Sequence, residues 1–195
     1  MDKKIRAFIA ISLPESVLQA MGQAQETLRR LGHGIRWVRK EGIHLTLKFL
    51  GDVDVDRVEN IHMAMERASN GASPFVLTGE GIGVFPDLRR ARVIWIGLTG
   101  DLQVLFALQA NLESQLKNLG FPKEKRPFKG HLTLGRIKGR VGATELREAV
   151  EGLANFQTDA FTVQSVALFQ STLRPQGAIY TRLAEVSFGS GKRRV

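Results

Sequence analysis

The chain has 195 residues and no cysteine, and its 28 Lys+Arg outnumber 19 Asp+Glu for a net charge of +9. The missing thiols exclude cysteine nucleophiles, disulfides and thiolate-bound metals together, and no apolar run approaches membrane-spanning length. The length suits one large domain or two small lobes with a self-sufficient core, and the positive excess favours a polyanionic partner: RNA, DNA or anionic lipid.

Residues 4–13 alternate loosely and are rich in Ile and Phe, which predicts a strand. The apolar patch from Ala7 to Leu13 is at the lower limit for a secretory leader, and no small-residue cleavage site follows. A cytoplasmic location is therefore expected. Ser12 and Glu15 have capping-box spacing, and Pro14 suits a first helical turn. Val17, Met21, Ala24, Leu28 and Leu31 then mark one helix face, closed by Gly32.

Short and long strands are predicted over 35–38 and 43–50. A second helix starts near Asp54, with Val55, Val58, His62, Met65 and Ala68 at helical spacing. Strands follow over 75–84 and 92–98. Leu102, Leu105, Leu108, Leu112, Leu116 and Leu119 form a third helix, stopped by Gly120 and Pro122. A basic loop, FPKEKRPFKG at 121–130, leads into a strand over 131–137. A short helix over 144–153 and strands over 161–169 and 178–186 complete the order. Mixed strands and helices without strict βαβ alternation predict an α+β fold with antiparallel sheets.

The tetrad His-Leu-Thr-Leu occurs twice, at 44–47 and 131–134, using two of the four histidines. Strand alternation puts Ile43, Leu45, Leu47 and Phe49 on one face, and His44, Thr46 and Lys48 on the other. In the second copy His131 and Thr133 lie opposite Leu132 and Leu134. Two imidazoles and two hydroxyls in one cleft suit in-line displacement at phosphorus. One histidine removes a proton from the attacking oxygen, and the other protonates the leaving oxygen. The threonines donate to non-bridging oxygens. The residues alone do not say which histidine does which.

This chemistry requires no metal and no nucleotide cofactor. A histidine metal site is the rival use, but H-x-x-x-H spacing is absent and neither tetrad contains a carboxylate. His62 reads as structural and His33 as a loop residue. The glycines form neither G-x-G-x-x-G nor a P-loop. Each half of the chain carries one tetrad with helices nearby, which suggests a duplicated unit.

The strings RWVRKEGIHLTLKFLGDV (36–53), RPFKGHLTLGR (126–136) and LFQSTLRPQGAIYTRL (168–183) resemble the two-histidine (HxTx) phosphoesterases. Within them the chain is similar to the RNA 2′,3′-cyclic phosphodiesterases, also called 2′-5′ RNA ligases. It departs from them at Gly130, where the family is associated with proline. The resemblance implies a bilobal fold over 1–188, with two antiparallel sheets facing a central cleft and helices outside in a pseudo-twofold duplication. Residues 189–195 are left as a basic, frayed tail.

The resemblance also implies hydrolysis of RNA or nucleotide 2′,3′-cyclic phosphates to 2′-phosphomonoesters by a monomer. His44 is then the proton donor, His131 the acceptor, and Thr46 and Thr133 the phosphate holders. The reverse direction joins RNA ends through a 2′-5′ bond. Lys48, Arg126, Phe128 and Lys129 are candidates for binding the rest of the substrate. Simple alternation turns Arg136 away, and Tyr180 reads as a strand residue. Two other readings stay open: an RNA-binding protein with a vestigial site, and a phosphoesterase for 2′-5′ oligonucleotides or small cyclic nucleotides.

Overall fold

Alternation in the first strand, β1 (Lys4–Ile11), buries Ile5, Ala7, Ile9 and Ile11 and turns Lys4 and Arg6 outward. The computed structural model describes residues 3–174 and 177–189, so the expected tail falls outside the described residues except for Gly189. The remaining strands are β2 (Ile35–Trp37), β3 (Leu45–Asp54), β4 (Phe75–Phe85), β5 (Val93–Gly100), β6 (Leu132–Ile137), β7 (Gln157–Val163), β8 (Ser165–Arg174) and β9 (Gly177–Ser187). The helices are α1 (Glu15–Leu28), α2 (Val58–Ser69), α3 (Leu102–Asn118) and α4 (Ala143–Glu151).

Two sequence expectations change. The capping box does not form, since α1 starts after Pro14 with no side-chain cap. The strand expected over 161–169 is two strands, β7 and β8, separated at Gln164. Apolar residues on both sides of Gln164 hide that break from a periodicity reading.

All strand pairings are antiparallel, in the order β7-β4-β5-β6-β3-β1-β8-β9, with β2 also on β6. The two expected sheets are visible as halves, β3-β1-β8-β9 and β6-β5-β4-β7. They join through one pairing, Leu45 with Leu132, where the two tetrads meet.

Each half is built from both parts of the chain. β4 belongs by sequence to the first tetrad but pairs with β5 and β7 in the second half. β8 belongs to the second but pairs with β1. The helices exchange likewise: α1 packs on β6 and β7, and α3 packs on β3 and α2.

Met21 and Leu28 of α1, Ile61 and Met65 of α2, and Leu105 and Leu112 of α3 are fully buried with Ile9, Ile11, Leu45, Leu77, Ile94 and Ile96 of the strands. Burying each such side chain contributes about 1.5–3 kcal/mol relative to exposure. The helical spacing read from the sequence is thus the packing surface, and the sheet's other face is left to carry chemistry.

Candidate active site

Counting outward from Leu45–Leu132 sets His44 against Thr133 and Thr46 against His131. Directly opposed residues of an antiparallel pair project to the same face. The leucines point into the core, fully buried, and the four polar side chains occupy the other face. Each histidine stands one residue ahead of its strand, at matching positions in the two halves. The repeated tetrad therefore builds one site across a local twofold, and the structure brings together all four residues read from it.

From the last leucine of each tetrad simple alternation fails, and this first break falls at the equivalent residue in both halves. Against β1, Thr46 pairs with Ala10 but Lys48 pairs with Ile9, so a β-bulge begins at Leu47. Against β5, Thr133 pairs with Trp95 but Gly135 pairs with Ile94, a bulge at the equivalent Leu134. An extra residue on one strand turns the following side chains over.

Phe49, expected in the core, is 62% exposed and pairs with Phe8. Arg136, expected to face away, is turned onto the histidine face by the same count. A buried glutamine from a helix of the other repeat secures each bulge. Gln25 Nε2 donates to Leu134 O and Val38 O, both at 2.8 Å. Gln109 Nε2 donates to Leu47 O at 3.4 Å. Sequence reasoning missed both; the available signal was a glutamine inside each helix's apolar stripe.

Lys48 is the clearest correction among the candidates. It is buried, and its Nζ donates to Glu113 Oε2 of α3 at 2.9 Å and to Pro122 O at 2.7 Å. The bulge turned it inward, where it ties β3 to α3 rather than reaching substrate. Gly135 holds the equivalent place in β6, with a Cβ there lying 2.9 Å from Ile35 and Trp37 side-chain atoms. Arg126 and Lys129 are exposed on the loop before His131. Phe128 is half-buried, edge-on to Phe106 at 6.1 Å. His62 is half-buried on α2, 3.9 Å from Glu59, and His33 is exposed.

The two imidazoles have aromatic walls. His44 stacks on Phe8 at 4.6 Å and meets the edge of Tyr180 at 5.1 Å. His131 meets Phe85 at 5.0 Å and Trp95 at 6.4 Å, both edge-on. Sequence reasoning set Tyr180 aside and singled out none of Phe8, Phe85 or Trp95, because these contacts join strands far apart in the chain.

His131 Nδ1 lies 2.7 Å from Lys129 O. A carbonyl only accepts, so Nδ1 carries the hydrogen and Nε2 is left for chemistry. His44 has the corresponding bond to the backbone of Gly42. Burial lowers the His44 pKa to about 4, against the upward pull of that bond. Burial also lowers His131, the Lys129 carbonyl opposes it, and the Arg136 charge depresses it further. The site at neutral pH thus holds two neutral imidazoles in an aromatic setting. Among the described residues no three His, Asp or Glu side chains gather as metal ligands do. None of the described helices is long and apolar enough to cross a membrane.

The LigT-like phosphoesterase profile matches twice in tandem, over 11–95 and 96–180, with one tetrad in each match. The RNA 2′,3′-cyclic phosphodiesterase of Methanothermobacter thermautotrophicus is 35% identical, over 91% of this chain and 96% of that protein. The protein of the same name from Thermotoga maritima is 34% identical, over 96% and 97%. Among solved structures, TT0787 of Thermus thermophilus superposes with a TM-score of 0.78 at 28% identity, covering 94% of this chain and 98% of that one. Escherichia coli LigT complexed with 3′-AMP gives 0.73 at 25%, covering 96% and 99%.

Proposed function

The chain belongs to the LigT-like phosphoesterases, and from that premise we infer that it is an RNA 2′,3′-cyclic phosphodiesterase, a hydrolase of phosphoric diesters. The observation that carries the mechanism is the Leu45–Leu132 pairing, which sets two imidazoles and two hydroxyls on one face.

A ribose 2′,3′-cyclic phosphate lies between the histidines, with Thr46 and Thr133 donating to its non-bridging oxygens. His131 Nε2 takes a proton from water as the water oxygen bonds to phosphorus. The P–O3′ bond breaks, and His44 gives its proton to the 3′ oxygen. The product is a 2′-phosphomonoester. Fixed donors aimed at a buried, charge-accumulating centre cost no reorganisation as the charge develops.

His44 must be protonated for this step, and with its pKa near 4 it is neutral in the free site. Substrate supplies the missing charge. A phosphate anion within about 4–6 Å favours the imidazolium, so binding and proton uptake are coupled. The donor and acceptor roles follow the family resemblance, and the exchangeable geometry of the two tetrads is compatible with them.

Phe49, exposed on the site face, offers a stacking surface for the substrate base. Arg126 and Lys129 give positive charge for flanking RNA phosphates. Both histidines come from one chain, which fits action as a monomer, and the location proposed for it is the cytoplasm. The same ring opening with a 5′-hydroxyl in place of water, the P–O3′ bond again breaking, yields a 2′-5′ bond.

The test is turnover of a 2′,3′-cyclic nucleotide in EDTA, with the phosphate position in the product determined. A 2′-phosphate is expected. His44→Ala and His131→Ala should each lose about 10²–10⁴-fold, and near-normal turnover in either overturns the reading. A p-nitrophenyl phosphodiester, whose leaving group needs no proton, assigns the roles. It should restore His44→Ala more than His131→Ala.

A further inference from the structure

Each imidazole is oriented by the backbone two residues before it, Gly42 for His44 and Lys129 for His131. Where those groups sit is set by the short segments that lead into the tetrads. Both segments are fastened to the opposite tetrad's strand. Ahead of His44, Val38 N donates to Leu134 O at 2.9 Å, and Gln25 Nε2 bridges Val38 O and Leu134 O at 2.8 Å each. Leu134 is the last residue of the second tetrad. From this anchor the chain makes one helical turn, Lys40–Gly42, and reaches His44. Gly42 N donates to Arg39 O at 2.8 Å and Ile43 N to Lys40 O at 3.1 Å, which stiffens the turn.

Ahead of His131 the fastening is a charge pair. Lys48, the residue after the first tetrad, donates from Nζ to Pro122 O at 2.7 Å and to Glu113 Oε2 at 2.9 Å. The same Glu113 oxygen accepts from Glu124 N at 3.3 Å. Gln109 Nε2 donates to Glu113 Oε1 at 3.3 Å and to Leu47 O at 3.4 Å, so both carboxylate oxygens are held. At the far end of the loop Gly130 lies close on Leu98 and Leu105, where a Cβ would be 3.1 and 3.2 Å from their methyls. The loop is thus gripped at both ends, with exposed residues between. A buried ion pair gains little over an apolar pair of the same volume. What distinguishes Lys48 and Glu113 is that they bind the Pro122 carbonyl and the Glu124 N–H, which apolar side chains cannot.

We propose that Lys48 and Glu113 are positioning residues for His131, and Gln25 for His44, so that each tetrad strand steers the other tetrad's histidine. The kinetic consequences rest on the phosphodiesterase reading. A reacting group displaced by about 1 Å can cost about 10²-fold in rate. A slack loop ahead of His131 impairs proton removal from water. A slack turn ahead of His44 impairs protonation of the 3′ oxygen.

The experiment compares two variants. Lys48→Met with Glu113→Gln removes both charges together, so neither is stranded. Gln25→Leu removes the bridge at Val38. For each, kcat is measured on a 2′,3′-cyclic nucleotide and on a p-nitrophenyl phosphodiester, and nitrogen NMR follows the imidazoles of the free protein. The double variant should lose kcat about tenfold or more on both substrates. Gln25→Leu should lose about as much on the cyclic nucleotide and recover most of it on the nitrophenyl ester, whose leaving group needs no proton. His131 resonances should shift in the double variant, and His44 resonances in Gln25→Leu. Glu113→Gln alone leaves Lys48 on Pro122. It should move His131 the same way by less, and it carries the test if the double variant does not fold.

Folded variants with unchanged kcat and unchanged resonances overturn the positioning roles. Equal shifts of both histidines in each variant also overturn them, as the mark of general loosening, and so does each variant moving the other histidine. A wild-type protein that opens no cyclic phosphate fails the phosphodiesterase reading instead, and the resonances still judge the positioning.

Discussion

The tetrad strands β3 and β6 share four letters, a bulge at the same leucine and a glutamine fastening each bulge, yet they diverge at the next two residues. After the tetrad β3 has Lys48 and Phe49, and β6 has Gly135 and Arg136. Lys48 runs inward to Glu113, whereas Gly135 makes room for Trp37. Phe49 presents an apolar ring to the site and Arg136 a charge. The two halves thus share the symmetric quartet of His44, Thr46, His131 and Thr133 and differ beside it: aromatic rings wall both histidines, but only the His131 side carries the Arg136 charge. A reaction with an attacking side and a leaving side needs that inequality.

The sharpest way to break the comparison is at Lys48. Lys48→Met strands the Glu113 carboxylate in the core and should cost about 3–5 kcal/mol. Gly135→Ala only forces Ile35 and Trp37 aside, for about 1–3 kcal/mol. Urea unfolding of both variants measures the difference, and equal midpoints would remove the asymmetry.

The histidines offer the next test. The His44 pKa is lowered from 6.5 to about 4. Between these values the unfolded chain binds the proton that the folded chain refuses, so stability falls as pH drops from 6.5 toward 4. The loss from His44 is about 3 kcal/mol at most. His131, lowered too, contributes in the same direction. His44→Gln should flatten the pH dependence of the unfolding free energy over that window. An unchanged slope would mean that His44 is solvated.

The glutamines give the smallest contrast. Gln25 satisfies two carbonyls at 2.8 Å and Gln109 reaches one at 3.4 Å. Gln25→Leu should therefore destabilise more than Gln109→Leu, within the roughly 1–3 kcal/mol of a stranded buried group. Unfolding midpoints that rank the other way would sever the link between bond length and bulge support.

The quartet was legible because His44, Thr46, His131 and Thr133 all stand before the bulges, where a strand's period of two still holds. The α+β class and the helix faces were legible for the same reason. Lys48, Phe49 and Arg136 were not, since a bulge adds one residue without changing composition and reverses the faces that directly follow it. The exchange of β4 and β8 was also hidden, because nothing in a strand's own residues names its neighbour. Tyr180 reads from sequence as a strand residue rather than a site residue because of that same exchange. It lies on β9 and reaches His44 only because β8 crosses to β1.

That exchange has a consequence for how the chain holds together. A cut in the exposed loop between β4 and β5 would part the two tetrads, and with them the two profile matches, almost evenly. Neither fragment could finish a sheet alone: the first would hold β4 with no β5, and the second β8 with no β1. Mixed, they have a reason to recombine, each lending the strand the other lacks. The molecule has the form of a strand-swapped pair of protomers whose two chains have been spliced into one.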